Sequence, residues 1–576
     1  MPGVTNGPLE GPLLVFGPRS AHYDFGPGHP LTPRRFGPGI ELLGTLGALP
    51  GMAPEPADDR ELLAVHAERY LAVVRRLSRD PAGDPEAGFS AFGDDPPFAG
   101  MHEAAATVAG GSLRAVEAIL RGDVEHAVHP GGGLHHALPA RASGFCIYND
   151  PALAIAAARR TGLRVLYVDL DVHHGDGVQA IHAGDPGVLT VSIHESGRTL
   201  FPGTGFAAEL GEGAAAGSSV NLPLEAATGE TAWLAGVRGI VPQLAAFFGP
   251  DLIVSQHGAD SHAWDPLAHL RVTTTAMGEA ARLVDALAHR HAAGRWLATG
   301  GGGYDVYRVV PRAWALTWLA GAHREAPELL DPGWRERWAG EAARHAQAPL
   351  PERFADEPNA GMPGSELQRL AEARSLATLD EVRALALPRL LVVAEEHGWW
   401  DPWRPVPTTA APAGIAQDGA PAAEPTIIDL DLAILDRLTL AHRAMPPFDP
   451  AIARRLLGAA IGAGARASAA VAGDRLVGVA ISGPLVQPGG MAELLWIGLA
   501  PAFRRRGIGS ALLARLAGGR RLASRIGVAD RDVVEPLAPA ERRRILRRMH
   551  DRAGVEAGPV EDGRLERDRS GPAGIS

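Results

Sequence analysis

Between Leu166 and Gly177 the chain reads LYVDLDVHHGDG: an apolar run that should be buried as a strand closes on Asp169, Asp171, His173, His174 and Asp176. Carboxylates and imidazoles are the side chains that hold metal ions and move protons. Along an extended segment side chains alternate, so Asp169, Asp171 and His173 can project to one side. Burying two carboxylates without compensation is too costly, and a cation is the usual compensation. A metal site is therefore the economical reading. An acidic turn with a capping histidine would account for Asp-x-Asp alone, but poorly for five ionisable groups in the eight residues from Asp169 to Asp176.

A metal site needs further groups, and other strand-like segments end in them. SQHGADSHAWDP offers Asp260 and Asp265, GGGLHHALPARASGFC offers the adjacent His135 and His136, and LATGGGGYDVY offers Tyr304 after four glycines. A backbone without side chains can pass close to a buried site. Each segment alone is more often structural; their recurrence at successive strand ends is what points to chemistry.

The elements that must position these groups alternate in type from about residue 11 to about 320. RVLYVDLD, GVLTVSIH, DLIVSQHG and RWLATGGGG are short apolar runs ending in polar or glycine-rich turns, and DPALAIAAARRTG and TAWLAGVRGIVPQLAAFFG carry apolar residues at helical spacing. This is the βαβ pattern of a parallel sheet covered on both faces, in which ligands bind beyond the carboxyl ends of the strands. Residues 321 to 400 read as helical and close the domain. Residues 401–425 are a Pro/Ala/Gly-rich linker without periodicity, a smaller unit spans 426–550, and 551–576 reads as a disordered tail.

At 576 residues the chain is long enough for two or three domains and at least one large core. Its net charge of -11 gives no electrostatic reason to expect nucleic acid or an anionic membrane as a partner. The sequence contains no lysine, so it cannot itself be a substrate for side-chain lysine acetylation. A single cysteine, Cys146, rules out an internal disulfide and suits a reducing compartment. No apolar run reaches the roughly 18 residues of a membrane span, and the expectation is a cytoplasmic protein.

The segments GGGLHHA, RASGFCIYND, LYVDLDVHHGDG, TVSIHESGRTLFPGTG, GADSHAWDP and GGGGY, in this order, resemble the zinc-dependent histone deacetylase family, of the acetoin utilization type, over about residues 11–400. The resemblance implies an arginase/deacetylase-like α/β fold, a parallel sheet with helices on both faces, and hydrolysis of acetyl-lysine on protein substrates. It assigns Asp171, His173 and Asp260 as ligands of zinc, with ferrous iron as the alternative metal. His135 and His136 match the catalytic histidine pair, with Asp169 and Asp176 as their carboxylate partners, and Tyr304 matches the tyrosine that hydrogen-bonds the substrate carbonyl. Gly144, Phe145 and Phe201 match the acyl-lysine tunnel, and Asp95 the rim aspartate that holds the substrate backbone. Asp169, Asp171, His173, Ser192 and Ile193 match a structural potassium site. Leu267 stands where many relatives have methionine or another apolar residue, and Leu134 where an aromatic is common; both bear on acyl-chain preference.

After the linker, ARASAAVAGDRLVGVAISG reads as two strands joined by a turn, and AELLWIGLAPAFRRRGIGSALLARL as strand, basic glycine loop and helix. Such a loop presents backbone N–H groups and positive charge to a pyrophosphate. Arg504, Arg505, Arg506, Gly507, Ile508 and Gly509 resemble the acetyl-CoA loop of GNAT N-acetyltransferases, which makes the second unit a smaller α+β GNAT-like domain and acetyl-CoA its expected ligand. The stretch GGRRLASRIGVADRDVVEP, by contrast, shows no clear strand to complete such a fold. Alternatives to the leading reading are a deacetylase of small acetylated amines such as acetylpolyamines, a non-catalytic acetyl-lysine or acetyl-CoA sensor, and a two-headed acetylation switch. An arginase-like two-metal hydrolase would have no use for His135, His136 and Tyr304.

Overall fold

The computed structural model describes residues 11–356, 364–397 and 399, and in the C-terminal part 425–440, 457, 461, 466–472, 475–487, 491–499, 511–512, 515–516 and 522–524. The chain divides into two compact units, 1–400 and 401–576. The first is built on eight strands: β1 Leu13–Val15, β2 Pro50–Met52, β3 His126–His129, β4 Val165–Asp169, β5 Val188–Glu195, β6 Ser219–Leu224, β7 Leu252–Gln256 and β8 Trp296–Thr299. They lie in the order β2-β1-β3-β8-β7-β4-β5-β6, and every pairing is parallel.

The helices are α1 Phe36–Thr45, α2 Asp59–Leu62, α3 Glu68–Arg79, α4 Met101–Arg121, α5 Asp150–Arg159, α6 Asp176–His182, α7 Glu230–Phe248, α8 Thr274–His291, α9 Val310–Gly321, α10 Pro332–Arg344 and α11 Glu366–Glu396. Among them, α4 packs on β1, β3 and β8, α5 and α7 on β4, α8 on β7 and α11 on β6. Every residue of β3, β4, β5, β7 and β8 is buried. Parallel strands covered on both faces read as continuous rather than alternating apolar runs, which is why VLYVD and LIVSQ are visible in the sequence. Among the described residues between 321 and 400 the helices are α10 and α11.

This strand order does the positioning. β3, β8, β7 and β4 are consecutive neighbours in the sheet although more than 120 residues separate β3 from β7 in the chain. Their carboxyl ends therefore bring the segments after His129, Thr299, Gln256 and Asp169 to one place.

In the second unit β9 Thr426–Leu430, β10 Thr439–Leu440, β11 Arg466–Ala472, β12 Arg475–Gln487, β13 Met491–Leu499 and β14 Leu522–Ser524 form a mixed sheet, with α12 at Leu432–Arg437. β11 and β12 are antiparallel partners, and β14 runs parallel to β13. The expectation that no strand follows the glycine loop is corrected here: Leu522–Ser524 are too short and too close to arginines for a sequence pattern to mark them, and pairing with β13 makes them a strand. The loop Arg504–Gly509 lies outside the described residues.

Candidate active site and metal centre

β4 ends on Asp169, and the chain beyond it turns Asp171 and His173 toward the end of β7. His173 Nδ1 lies 3.0 Å from Asp171 Oδ1 and 3.2 Å from Asp260 Oδ2. Each carboxylate has an oxygen tied to the protein. Asp171 Oδ2 accepts from Gln256 Nε2 at 2.6 Å and from the Gly302 N–H at 2.9 Å, and Asp260 Oδ1 accepts from the Val172 N–H at 3.0 Å. Asp260 Oδ2, buried, has no hydrogen-bond partner among the described residues.

This donor set fits a divalent metal. Asp171 and Asp260 are essentially inaccessible to solvent, and burial together with the charge of Asp171 lifts Asp260 to about 6. Burial opposes charge on His173 too, yet the two carboxylates beside its Nδ1 raise it to about 10. The point between the three side chains demands a positive charge, and three N/O donors within 4.8 Å of one another can receive a cation there. The backbone comes close for the same reason: a Cβ on Gly302 would overlap Asp260 Oδ2.

The segment after β3 is stitched to the start of α5. Asp150 accepts the N–H groups of Gly133 and Leu134 at 2.8–3.0 Å. Asn149 caps α5 through the Ala152 N–H and donates to the carbonyls of His135 and Ala137 at 3.0 and 2.9 Å. Held this way, His135 Nδ1 meets Asp169 Oδ2 and His136 Nδ1 meets Asp176 Oδ1, each at 2.7 Å, and the two Nε2 atoms are 3.0 Å apart. Two imidazoles at that distance do not both carry a proton on the shared side. Burial disfavours charge on both. For His135 the carboxylates of Asp169 and Asp171 outweigh it and raise the pKa to about 9; for His136 burial and the neighbouring His135 lower it to about 4 despite Asp176. Each carboxylate raises its histidine, but only at His135 does this exceed the effect of burial. His136 is the neutral member.

Tyr304 sits across the pocket with its N–H on Asp265 Oδ2 at 2.8 Å and its carbonyl on Gln347 Nε2 at 3.0 Å. Burial, with Asp260 and Asp171 nearby, pushes its phenol well above the usual range, so the hydroxyl is a donor at neutral pH. Asp265, which the sequence offers beside Asp260 as a ligand, instead holds the backbone of Tyr304 and, at 2.9 Å, of Leu267.

Leu31, Gly144, Phe145 and Tyr304 line the pocket above His135, His136, Asp171 and His173. Gly144 has φ +53° and no room for a side chain against His136 and Phe201. Phe201, partly exposed, stands edge-on to His136 with ring centres 5.0 Å apart, and Phe145 edge-on to Tyr304 at 5.9 Å. Leu267 is partly buried against the same core. Asp169 and Ser192 are cross-strand neighbours in the β4–β5 pair, with Ile193 next along β5.

Asp95 needs correction. It is buried at 2 % exposure and turned to the backbone of Phe145 and Cys146, and burial raises its pKa well above the carboxylate range. A carboxyl in that position cannot serve as an open rim; the exposed member of the pair is Asp94. Three supporting residues escaped the sequence reading. Tyr167 donates its hydroxyl to Asp169 Oδ2 at 2.7 Å, Gln256 holds Asp171, and the buried Arg35 donates to the Gly301 carbonyl at 2.7 Å behind the glycine run. Gln256 ends β7 opposite Asp169 in register, a strand-end signal that was available; Arg35 lies over 200 residues away in a 3₁₀ turn and gave none.

Residues 29–320 match the model of the histone deacetylase domain, and residues 439–541 that of the acetyltransferase (GNAT) family. The acetoin utilization protein AcuC of Bacillus subtilis (strain 168) is 43% identical over 332 residues, 57% of this chain and 86% of that protein. Its namesake from Staphylococcus xylosus is 37% identical over 349 residues, 60% of this chain and 90% of that one. Two solved structures are similar at 26% identity: a histone deacetylase homologue complexed with SAHA (TM-score 0.56, 65% of this chain and 100% of that one) and a homologue from Aquifex aeolicus (TM-score 0.55, 63% and 99%). With half its length matched by the one domain model and its relatives covered almost end to end, the chain belongs to the histone deacetylase family: it is a deacetylase of arginase/deacetylase-like fold that carries a GNAT domain in its C-terminal region.

Proposed function

We propose that the first unit is a zinc-dependent lysine deacetylase that hydrolyses acetyl-lysine on protein substrates, among them an acyl-CoA-forming enzyme such as acetyl-CoA synthetase. The observation that carries the reading is the convergence of Asp171, His173 and the unpartnered Asp260 Oδ2 with the carboxylate-paired His135–His136 couple and Tyr304 in one narrow pocket.

Asp171, His173 and Asp260 would hold a zinc ion, whose Lewis acidity would polarise the scissile amide. His136 is neutral and takes the proton of the water that attacks the amide carbon. Asp176 keeps its Nδ1 proton in place, so Nε2 is the free base. The Tyr304 hydroxyl donates to the oxygen on which negative charge grows. Collapse breaks the C–N bond, His136 passes its proton to the departing lysine amine, and acetate remains. His135, paired with Asp169, acts by electrostatics and carries no proton on the Nε2 that faces the base once His136 is protonated. A linear side chain suits walls made of Gly144, Phe145 and Phe201. The crossing of β4 with β5 at Asp169, Ser192 and Ile193 supports potassium as a structural ion behind the site.

The test is metal content together with hydrolysis of an acetyl-lysine peptide, with acetylpolyamines assayed in parallel and a hydroxamate chelator as inhibitor. Peptide turnover that tracks bound metal and falls with the hydroxamate is expected; polyamine turnover alone would replace the substrate class.

The GNAT match supports acetyl-CoA as the ligand of the second unit, through the loop Arg504–Gly509. Gly507→Glu is expected to abolish CoA binding by calorimetry, because a carboxylate would stand in the pyrophosphate position, and to leave deacetylation untouched. CoA binding that survives this change would remove the loop from the reading.

A further inference from the structure

At the amino ends of the strands, opposite the pocket, four side chains converge that the deacetylase chemistry does not use. His126 is the first residue of β3, whereas His135 and His136 lie beyond its last. Asp285 and His289 are one turn apart on the same face of α8, and His323 lies just past the end of α9. His126 Nε2 is 3.1 Å from His289 Nε2 and 3.5 Å from Asp285 Oδ1. His289 Nε2 is 3.0 Å from His323 Nε2 and 3.6 Å from Asp285 Oδ1, and His323 Nε2 is 3.3 Å from the same oxygen.

These are five of the six edges of a four-donor set, 3.0–3.6 Å long, and all four atoms lie within 4.8 Å of one another. Four donors held tetrahedrally at the roughly 2.0–2.2 Å bond lengths of zinc to imidazole and carboxylate stand about 3.3–3.6 Å from one another. We propose that His126, Asp285, His289 and His323 form a second metal site, structural rather than catalytic, that takes a zinc-class divalent cation with all four positions filled by protein.

Independent features agree. Hydrogen bonding alone explains the cluster poorly, because His289 Nε2 faces two other imidazole nitrogens at about 3 Å and carries at most one proton between them. His323 is held at φ +53°, in the left-handed region that histidine enters more readily than most side chains, and its ring meets His289 and Asp285 of α8. His126 and Asp285 are buried while His289 and His323 are exposed, so the site is anchored from within and open to an ion from solvent. Bound there, the ion would tie β3, α8 and the turn after α9 together at the end of the sheet.

The full-length protein, stripped with chelator, reloaded with Zn2+ and desalted, should hold two zinc equivalents per chain. His323→Asn, whose side chain suits the left-handed turn, should hold one and keep deacetylating. Asp260→Asn should hold one, and the double variant none. In the Asp260→Asn protein, Co2+ should give the visible bands of a tetrahedral site with the histidine cluster intact, so the reading does not depend on the folding of His323→Asn. A wild-type count of one that is unchanged in His323→Asn, or an Asp260→Asn protein without tetrahedral Co2+ bands, would reduce the cluster to a proton-sharing network. Loss of zinc in His323→Asn but not in Asp260→Asn would leave this site standing and overturn the active-site ligand set instead.

Discussion

Asp260→Ala is expected to lose the active-site metal and deacetylation together. Asp260 Oδ2 has no hydrogen-bond partner among the described residues and faces only His173 Nδ1, whereas Asp171 Oδ2 is already committed to Gln256 and the Gly302 N–H. Two donors remain in the variant, and loss of even an outer partner commonly costs 10–100-fold in affinity, so loss of a ligand should cost more. Alanine also removes the acceptor of the buried Val172 N–H, a side effect worth roughly 1–3 kcal/mol. Asp260→Asn separates the two contributions. Its carbonyl oxygen can keep the Val172 bond while an amide NH₂ replaces the metal-facing oxygen, so fold stability should return and metal should not. Metal analysis and turnover on the same preparations decide the matter: full occupancy with normal turnover in either variant would sink the ligand assignment.

Legibility in the sequence followed burial and spacing. β4, β5, β7 and β8 could be read because strands buried on both faces are continuous apolar runs, and the groups that follow them could be read because acids and imidazoles have no cheap reason to sit there. β3 could not, since HAVH places a histidine at each end of a four-residue strand and both are buried. Asp95 misled because its sequence neighbourhood, FGDDPP, marks a turn without saying which of two adjacent aspartates faces inward. Long-range supports were invisible for a different reason. Arg35 and Gln347 act through single bonds to backbone carbonyls of the 301–304 segment, and such bonds leave no pattern in the residues that make them. The same holds for the histidine cluster, where only the Asp285–His289 spacing is local and the strand order brings in the other two.

Tyr304→Phe is expected to keep the metal and the fold and to lower turnover by roughly 10²–10³, about 2.7–4 kcal/mol, the scale for losing one oxyanion donor. The change removes one hydroxyl from a ring that stays packed edge-on against Phe145, and the anchors of the residue are its backbone bonds to Asp265 and Gln347, which phenylalanine retains. Position is therefore preserved and only the donor is lost. Burial and the nearby carboxylates hold the phenol neutral, so no charge disappears with it and metal affinity should stay near that of the parent. The bond to the substrate oxygen strengthens as charge builds on it, which places the defect in kcat more than in KM. A tyrosine that merely filled space beside the glycine run would show little change in either constant. Parental kcat at full metal content in Tyr304→Phe would remove Tyr304 from the chemical step and leave the oxyanion without a side-chain donor in this pocket.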